Sequence, residues 1–346
     1  GGCTLLNELY ENFVACHPLL RQLILSNTGS EAVLRSIRIA RGLTGKNKII
    51  LLRGAWHGSH DQTLFDYLEG EENISRPLSA GIPQTTANNV IFIDPCSDNL
   101  EDKLFKLNDV ACILFEPIQG VLPISLSKNF HQILDKFIKE KRAIAIFDEI
   151  ISGHRVSMNG IYNAFKNIPL MVLFGKSMGG GIPISAIGIS RKLSETYKDQ
   201  IEKNHLSKFF FGGTFTGNPL SVKSAILTLK YIKNNKNLYT HLEETGAYLR
   251  NKINLIFKKK ELDFTIVGFK SISKIINQPL NTKINSVSLR DKYLDKEKLN
   301  LIRSIFQSSG IHYGTNNLLF TCQEHDYATI DNYLEKLEKN LENEQF

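Results

Sequence analysis

The fold is decided by Ala143-Ile144-Ala145-Ile146-Phe147-Asp148-Glu149, a short apolar run that stops at two carboxylates. A nearly continuous apolar run of this length is typical of a strand that a sheet buries on both faces. Runs of the same kind lie at residues 48–52, 90–93, 112–115, 170–174 and 185–189. A helical pattern at residues 129–141 separates two of them, as expected when a helix connects parallel strands. The sequence therefore predicts an α/β fold around a mostly parallel sheet flanked by helices.

The pattern changes near residue 235, after a predicted helix at residues 219–233. Beyond that point, helical patterns at residues 242–257, 296–305 and 327–341 surround a weaker strand candidate at residues 264–267. We therefore predict a large α/β domain over residues 1–235 and a smaller α+β domain over residues 236–346. A chain of 346 residues is long enough for both.

Composition excludes several classes of protein. With 42% hydrophobic and 22% charged residues the chain can bury a large core, and no apolar run approaches the roughly 20 residues that cross a bilayer. The net charge of +7 is spread along the chain, so we expect no nucleic-acid partner and no membrane partner. The five cysteines, at positions 3, 16, 96, 112 and 322, contain no C-x-x-C pair. That pattern argues against a metal site or a disulfide framework and favours a reducing, cytoplasmic compartment.

Two predicted strand ends carry complementary chemistry. Asp148 ends the run at residues 143–147, and Lys176 follows the run at residues 170–174, just before Gly179-Gly180-Gly181. Ligands of open α/β sheets bind where the strands end. Taken singly, the lysine could bind a phosphate or form a Schiff base, and the aspartate could ligate magnesium, cap a helix or pair with a cation. Together they suit pyridoxal phosphate, which needs a lysine for its aldehyde and an acid to keep its ring nitrogen protonated.

A third stretch, Asn27-Thr28-Gly29-Ser30-Glu31-Ala32, opens an apolar stripe at helical spacing. The free N–H groups of a helix N-terminus favour an anion, Gly29 allows close approach, and the Ser30 hydroxyl can add a hydrogen bond. An ordinary N-cap by Thr28 or Ser30 is the simpler alternative. A dinucleotide-binding turn is excluded at residues 179–181, because these glycines follow a lysine and do not open a G-x-G-x-x-G turn.

The segments and their order resemble the class III aminotransferases, which belong to fold-type I of the pyridoxal-phosphate enzymes. Within that family the chain is most similar to the glutamate-1-semialdehyde 2,1-aminomutases. The resemblance covers nearly the whole chain and is strongest over residues 26–220. The motifs that carry it are Cys3-Thr4-Leu5-Leu6, residues 27–32, Trp56-His57-Gly58, Phe115-Glu116-Pro117, Phe147-Asp148-Glu149, Gly153-His154-Arg155, residues 175–183, residues 213–219 and, more weakly, residues 320–325.

The resemblance implies roles for the residues around the cofactor. Lys176 is expected to hold pyridoxal phosphate as a Schiff base and then to act as the general base, with Asp148 at the pyridine nitrogen. Gly29 and Ser30 are expected to cradle the phosphate.

The resemblance also implies the walls of the pocket. Trp56 is expected to stack on one face of the ring, and Ile150 or Ile151 to press on the other. His57 and Glu116 line the pocket in the family. Arg155, the arginine nearest in the motif, is the candidate to bind a substrate carboxylate. Thr214 is implied to reach the phosphate of the neighbouring subunit, so we expect a homodimer with shared active sites.

Three features depart from the family pattern. Ile151 stands where members acting on ω-amino acids usually carry glutamine, which is more like the aminomutase branch. His154 stands where phenylalanine is common. Members of the family usually carry a substantial segment before the motif at residues 3–6, which helps to build the substrate mouth, and the 346 residues given begin almost at that motif.

Three functions remain open on these grounds. The first, which we favour, is an aminotransferase that acts on an aldehyde or ketone, and the second is a glutamate-1-semialdehyde 2,1-aminomutase. The third is a non-catalytic relative that keeps the fold for binding or assembly. Retention of Lys176, Asp148 and Thr214 favours an enzyme over the third alternative.

Overall fold

The computed structural model describes residues 2–67, 75–165, 167–199, 202, 209–278, 282–313 and 317–342, without the side chains of residues 2 and 3. In chain order the strands are β1 (Leu20–Ser26), β2 (Lys48–Leu52), β3 (Phe65–Tyr67), β4 (Ser75–Pro77), β5 (Val90–Ile93), β6 (Val110–Phe115), β7 (Ile118–Gln119), β8 (Leu122–Ser125), β9 (Ile144–Asp148), β10 (Leu170–Phe174), β11 (Ser185–Ser190), β12 (Phe264–Phe269), β13 (Ile272–Asn277) and β14 (Leu318–Phe320). The α-helices are α1 (Gly2–Cys16), α2 (Gly29–Thr44), α3 (Gln84–Ala87), α4 (Leu100–Lys106), α5 (Lys128–Lys141), α6 (Arg191–Thr196), α7 (Pro219–Asn234), α8 (Leu238–Lys259), α9 (Val287–Lys292), α10 (Lys296–Ser308) and α11 (Tyr327–Glu342).

Among the described residues, seven strands form the central sheet in the order β1-β11-β10-β9-β6-β2-β5. All neighbours from β10 to β5 pair in parallel, whereas β11 runs antiparallel to β10 and to β1. The predicted α/β fold with a mostly parallel sheet is confirmed. The sequence did not predict β1, because an edge strand with several half-exposed residues lacks a continuous apolar run.

Alternate residues of each central strand enter two separate cores. In β2, Ile49 and Leu51 pack on one face with α2, whereas Ile50 and Leu52 pack on the other face with α1, α5 and α7. Because side chains alternate along a strand, burial on both faces requires apolar residues at nearly every position. This arrangement explains the runs from which the fold was predicted.

The direction of the strands brings the predicted site residues to one edge of the sheet. β1 and the five parallel strands all point the same way, since β11 is antiparallel to both β1 and β10. Asn27 follows β1, Glu116 follows β6, Asp148 ends β9 and Gly175 follows β10. The loop after β2 adds Trp56. Their common edge is where open α/β sheets bind ligands.

The chain divides into two compact units. The first contains residues up to 117 and residues 126–236, and the second contains residues 118–125 and residues from 237 onward. In the second unit, β12, β13 and β14 form an antiparallel sheet, and α8, α10 and α11 share a core that includes Phe257, Phe306 and Leu334. The hairpin β7–β8 belongs to this second unit, although it lies within the range that the sequence assigned to the large domain. Within the described residues, none of the helices has the length and apolar character that crossing a membrane requires.

Candidate active site

A cavity of about 640 Å³ lies at the carboxyl edge of the central sheet. Its volume falls in the range of about 300–1,000 Å³ that is usual for small-molecule and cofactor sites. The predicted site residues on its wall are Gly29, Ser30, Trp56, Glu116, Asp148, Ile150, Ile151, Arg155 and Lys176. The cavity belongs entirely to the first unit.

Asp148 is held from behind by a histidine. Its Oδ2 accepts a hydrogen bond from Nδ1 of His57 at 2.8 Å, and its Oδ1 accepts one from the backbone N–H of Ile150 at 3.2 Å. His57 is only 2% exposed and lies behind Asp148 rather than on the cavity wall. The structure places its imidazole against the Asp148 carboxylate, and its expected role at the pocket stays a prediction. Such a second contact fixes the orientation of a functional side chain.

Lys176 lies just after β10, at the same edge of the sheet as Asp148, which ends the neighbouring parallel strand β9. Its backbone φ of +40° is in the left-handed region, which residues other than glycine rarely adopt. Two hydroxyls hold the loop: Ser177 Oγ donates to the Gly153 carbonyl at 2.9 Å, and Ser224 Oγ donates to the Gly179 carbonyl at 2.7 Å. Strained backbone persists where its surroundings over-determine it, and it is concentrated at functional sites. The exposed side chain of Lys176 lines the cavity.

The N-terminus of α2 forms a second corner of the cavity. Thr28 caps the helix, with Oγ1 accepting a hydrogen bond from the backbone N–H of Glu31 at 3.2 Å. The amides of Gly29 and Ser30 come before any intrahelical carbonyl that could accept them, so they are available to a ligand. Thr28 therefore caps the helix while the amides of Gly29 and Ser30, which we call the anion corner, remain available to bind an anion.

Gly58 holds Ser30 in this corner. Its φ is +89°, and a Cβ there would lie 2.3 Å from Ser30 Oγ and 2.9 Å from Ser30 Cα. The neighbouring backbone N–H of Ser59 donates to Ser30 Oγ at 3.1 Å. A phosphate fits such a corner, because helix N-terminal amides and a hydroxyl supply donors of the right kind.

Two side walls complete the cavity. The backbone N–H of Trp56 donates to Glu116 Oε2 at 3.0 Å, which holds the half-exposed indole beside a carboxylate that is 3% exposed. The side chain of Ile150 packs against two glycines. A Cβ added at Gly29 would lie 2.6 Å from this side chain, and a Cβ added at Gly175 would lie 3.4 Å from it. An apolar surface thus runs from the anion corner to the loop of Lys176.

Thr214 is exposed and does not line the cavity of this one chain. The adjoining residues are bonded to α2 and to the loop before it: Arg35 of α2 donates to the Gly212 carbonyl at 2.8 Å, and Asn27 Nδ2 donates to Thr216 Oγ1 at 3.4 Å. Phe215, next to Thr214, is 72% exposed. The segment therefore presents a hydroxyl and a large apolar ring outward.

Sequence reasoning missed a buried polar group behind the cavity wall. Glu149 accepts hydrogen bonds from the backbone N–H groups of Ile161 at 2.7 Å and Tyr162 at 2.8 Å, and burial raises its pKa to about 7. Burial also lowers the pKa of His154 to about 4. In the sequence, Glu149 stood out only as the second carboxylate at the end of a predicted strand, and His154 only as a departure from the family pattern.

Comparison with known proteins identifies the relatives of this site. Residues 4–268 match the family model described as Aminotransferase class-III. The glutamate-1-semialdehyde 2,1-aminomutase of Methanothrix thermoacetophila is 30% identical over 331 residues, which are 95% of this chain and 74% of that protein.

Two solved structures share the fold. An omega-transaminase from Sphaerobacter thermophilus matches with a TM-score of 0.85 and 20% identity over 97% of this chain and 77% of that one. A glutamate-1-semialdehyde aminomutase from Pseudomonas aeruginosa PAO1 matches with a TM-score of 0.82 and 19% identity over 97% and 74%. At this identity the two structures establish similarity of fold alone.

Proposed function

This chain belongs to the class-III aminotransferase family and is an enzyme of the aminotransferase or aminomutase type; from that premise we propose that it moves an amino group from an amine donor to an aldehyde or ketone, with pyridoxal phosphate as its cofactor. The observation that carries the proposal is the convergence of Lys176, Asp148 and the N-terminus of α2 on one cavity. When bound, pyridoxal phosphate supplies an aldehyde that condenses with amines and a ring that withdraws electrons from the substrate carbon.

The residues on the cavity wall fit that cofactor. Gly29 and Ser30 would bind the phosphate through their amides and the Ser30 hydroxyl. Trp56 would cover one face of the ring, and Ile150 or Ile151 the other, since aromatic and aliphatic surfaces hold a planar ring without competing for hydrogen bonds.

Asp148 would hold the proton on the ring nitrogen. Its carboxylate reaches the cavity while His57 and the Ile150 amide donate to its two oxygens. Because both oxygens already accept hydrogen bonds within the protein, the carboxylate is orientated before any ligand arrives. Pre-organisation of this kind removes a reorganisation cost from the reaction.

Lys176 would have two tasks. Its Nζ would hold the cofactor covalently and would give way to a substrate amine. The freed Nζ would serve as the general base that takes a proton from the substrate carbon and returns it. The bonds from Ser177 and Ser224 keep the loop of Lys176 in place through this exchange.

Substrate would enter beside Arg155 and Glu116, which also line the cavity. A guanidinium can bind a carboxylate through two parallel hydrogen bonds, so we propose Arg155 as the contact for a substrate carboxylate. Glu116, whose Oε2 accepts the backbone N–H of Trp56, would accept a hydrogen bond from an amine on the same side.

We also propose a homodimer in which Thr214 of each copy reaches the phosphate corner of the other. Three large apolar side chains near Thr214 support an interface: Phe210 is 75% exposed, Phe215 is 72% exposed and Leu220 is 69% exposed. Exposed apolar residues clustered in one segment mark interaction surfaces. For the compartment we propose the cytoplasm, on the cysteine pattern of the sequence.

An aminomutase is the second candidate, and the similarity to aminomutases over 95% of the chain favours it. Such an enzyme uses the same residues but moves the amino group within one molecule. The apolar Ile151 on the cavity wall is compatible with both reactions. Family membership and the retained Lys176 argue against the non-catalytic alternative.

The decisive experiment is spectroscopic. Protein purified with pyridoxal phosphate should show a visible absorption band, and borohydride should abolish the band and add the mass of the reduced cofactor at Lys176. The Lys176→Ala protein should show neither. A Lys176→Ala protein that still turned over amines would refute the assignment.

A screen of half-reactions then separates the two candidates. Each amine that serves as donor should bleach the band in the absence of an acceptor. An aminomutase should convert glutamate 1-semialdehyde to 5-aminolevulinate without an external amine, whereas an aminotransferase should require one.

A further inference from the structure

A chain of buried polar side chains lies behind the cavity wall, and the chemistry proposed above does not use it. The Nε2 atoms of His17 and His154 are 2.8 Å apart, and Nδ1 of His17 is 3.0 Å from the Tyr162 hydroxyl. The backbone N–H of Tyr162 continues the chain to Glu149. His17 and Tyr162 have no exposed surface, and His154 is 4% exposed.

This polar network, defined as His17, His154 and Tyr162, surrounds the side chain of Phe174. The ring centroid of Phe174 is 4.5 Å from that of His17, 5.1 Å from that of His154 and 6.3 Å from that of Tyr162. Phe174 is the last residue of β10 and stands two residues before Lys176. The network therefore contacts the strand end from which the lysine projects.

The network also reaches the lysine loop by a second route. Gly153, next to His154, accepts the hydrogen bond from Ser177 Oγ through its carbonyl. A Cβ at Gly153 would lie 2.9 Å from the ring of Phe174, so its backbone packs directly on that ring. His154 itself has a φ of +57°, which is unusual for a histidine and turns the chain sharply at this point.

The hydrogen bonds of the network require that at least one of the two imidazoles is neutral. Two imidazoles that face each other through Nε2 can bond only if one donates and the other accepts. Burial lowers the pKa of His154 to about 4 and lowers the pKa of His17 well below its ordinary value. Burial also raises the pKa of Tyr162. A neutral, directional network in an apolar core selects one arrangement of the groups that it joins.

We propose that His17, His154 and Tyr162 are positioning residues that hold Phe174 and Gly153 so that Lys176 projects toward the cofactor. The inference rests on the proposed function, because it assigns these residues to the same reaction. It concerns this chain in particular, since a phenylalanine at position 154 could pack on Phe174 but could not bond to His17.

Two substitutions remove hydrogen bonds while retaining aromatic packing. Tyr162→Phe deletes one hydroxyl and keeps both the ring and the backbone bond to Glu149, and His154→Phe keeps a ring against Phe174. Tyr197→Phe is the matched control. Tyr197 is also buried, at 2% exposure, and its hydroxyl donates to the Arg142 carbonyl at 2.7 Å, but it packs in the core on the other face of the sheet.

The first measurement is the dissociation constant of pyridoxal phosphate titrated into each cofactor-free protein. Tyr162→Phe and His154→Phe should each weaken binding about fivefold, the effect of losing one buried hydrogen bond. Tyr197→Phe should bind like the wild type even if its thermal stability falls. In the double variant Tyr162→Phe/His154→Phe the loss should be smaller than the product of the single losses, because residues that act as one unit are not additive.

The second measurement is the visible band of the bound cofactor, which reports the geometry at Lys176. Its maximum, or the pH at which it changes, should move in both network variants and stay in place in Tyr197→Phe. If Tyr162→Phe does not fold, His154→Phe carries the comparison alone.

The outcomes separate the two proposals. Normal binding by the wild type together with unchanged affinity and spectrum in both network variants would overturn the positioning role. Weakened affinity with an unchanged band would also overturn it, since loss of stability alone would explain that result. A wild type that binds no pyridoxal phosphate would overturn the proposed function and this inference with it.

Discussion

Acid should destabilise the first unit through His154. Burial lowers the pKa of this histidine from 6.5 to about 4, so the folded protein excludes a proton that the unfolded chain accepts. The stability that the neutral ring contributes is therefore complete above about pH 6.5 and is lost as the pH falls through the interval from 6.5 to about 4. Between pH 7.5 and pH 5, linkage gives a loss of about 2 kcal/mol from this residue.

Other buried groups also change stability in this interval, so the wild type alone cannot reveal the effect. The pKa of His60 is lowered to about 4 by burial and acts in the same direction. Glu149 acts in the opposite direction: since its pKa is raised from 4.5 to about 7, its contribution is present below pH 4.5 and is lost as the pH rises to about 7. Comparison with His154→Phe isolates the pair formed by His154 and His17, because His60 and Glu149 are common to both proteins, whereas the pKa of His17 is lowered by burial and by His154 itself.

The assay is urea unfolding of the cofactor-free protein at pH 7.5 and pH 5. Trp56 is the only tryptophan in the sequence and lies in the first unit, so its fluorescence reports that unit. Between the two pH values the wild type should lose about 2 kcal/mol more free energy of unfolding than His154→Phe.

His312→Phe, at an exposed histidine of the second unit, is the control and should leave the difference between the two pH values unchanged. Equal losses in the wild type and His154→Phe would refute the reasoning, because they would mean that His154 takes up its proton equally well in the folded and unfolded states.

Three further predictions concern the site and its surroundings. Gly58→Ala should cost about 1–3 kcal/mol in urea unfolding and weaken cofactor binding, because its φ is +89° and the new Cβ meets Ser30 backbone, whereas Gly29→Ala meets only the end of a flexible side chain and should cost less. Glu149→Gln should remove up to about 3 kcal/mol of the change in stability between pH 4.5 and pH 7, measured by the same titrations, since glutamine does not titrate. Phe215→Glu should convert the proposed dimer to monomers in sedimentation velocity, because it places a charge where a 72% exposed ring would be covered; a dimer of unchanged stability would exclude this surface as the interface.

The sequence predicted the parts of the site that lie where a strand ends. Asp148 and Lys176 could be found because each follows a run of apolar residues, and the edge they share follows from parallel pairing alone. The anion corner was predictable for a similar reason, since α2 begins at a recognisable cap. These signals are local, and a local pattern can be read before the chain is folded.

The sequence could not show which side chains support these residues. Asp148 and its partner His57 are 91 positions apart, and nothing in the pattern of either segment orientates the imidazole behind the carboxylate instead of into the cavity. The segment 118–125 is a second example of a contact that the sequence does not show. Its two strands are too short for periodicity to reveal that they join the second unit. Contacts between distant segments depend on packing, which leaves no periodic trace.

By itself, then, the sequence determined an α/β sheet buried on both faces and the lysine and aspartate at its edge, because periodicity and strand direction act over a few residues. Only the tertiary structure decided that Asp148 is held by His57, and that His17 meets His154 and Tyr162 across 137 and 145 positions. Those pairs form because burial removes water from groups that must then find partners within the protein. Which partner each group finds is set by how the helices and loops pack around β9 and β10.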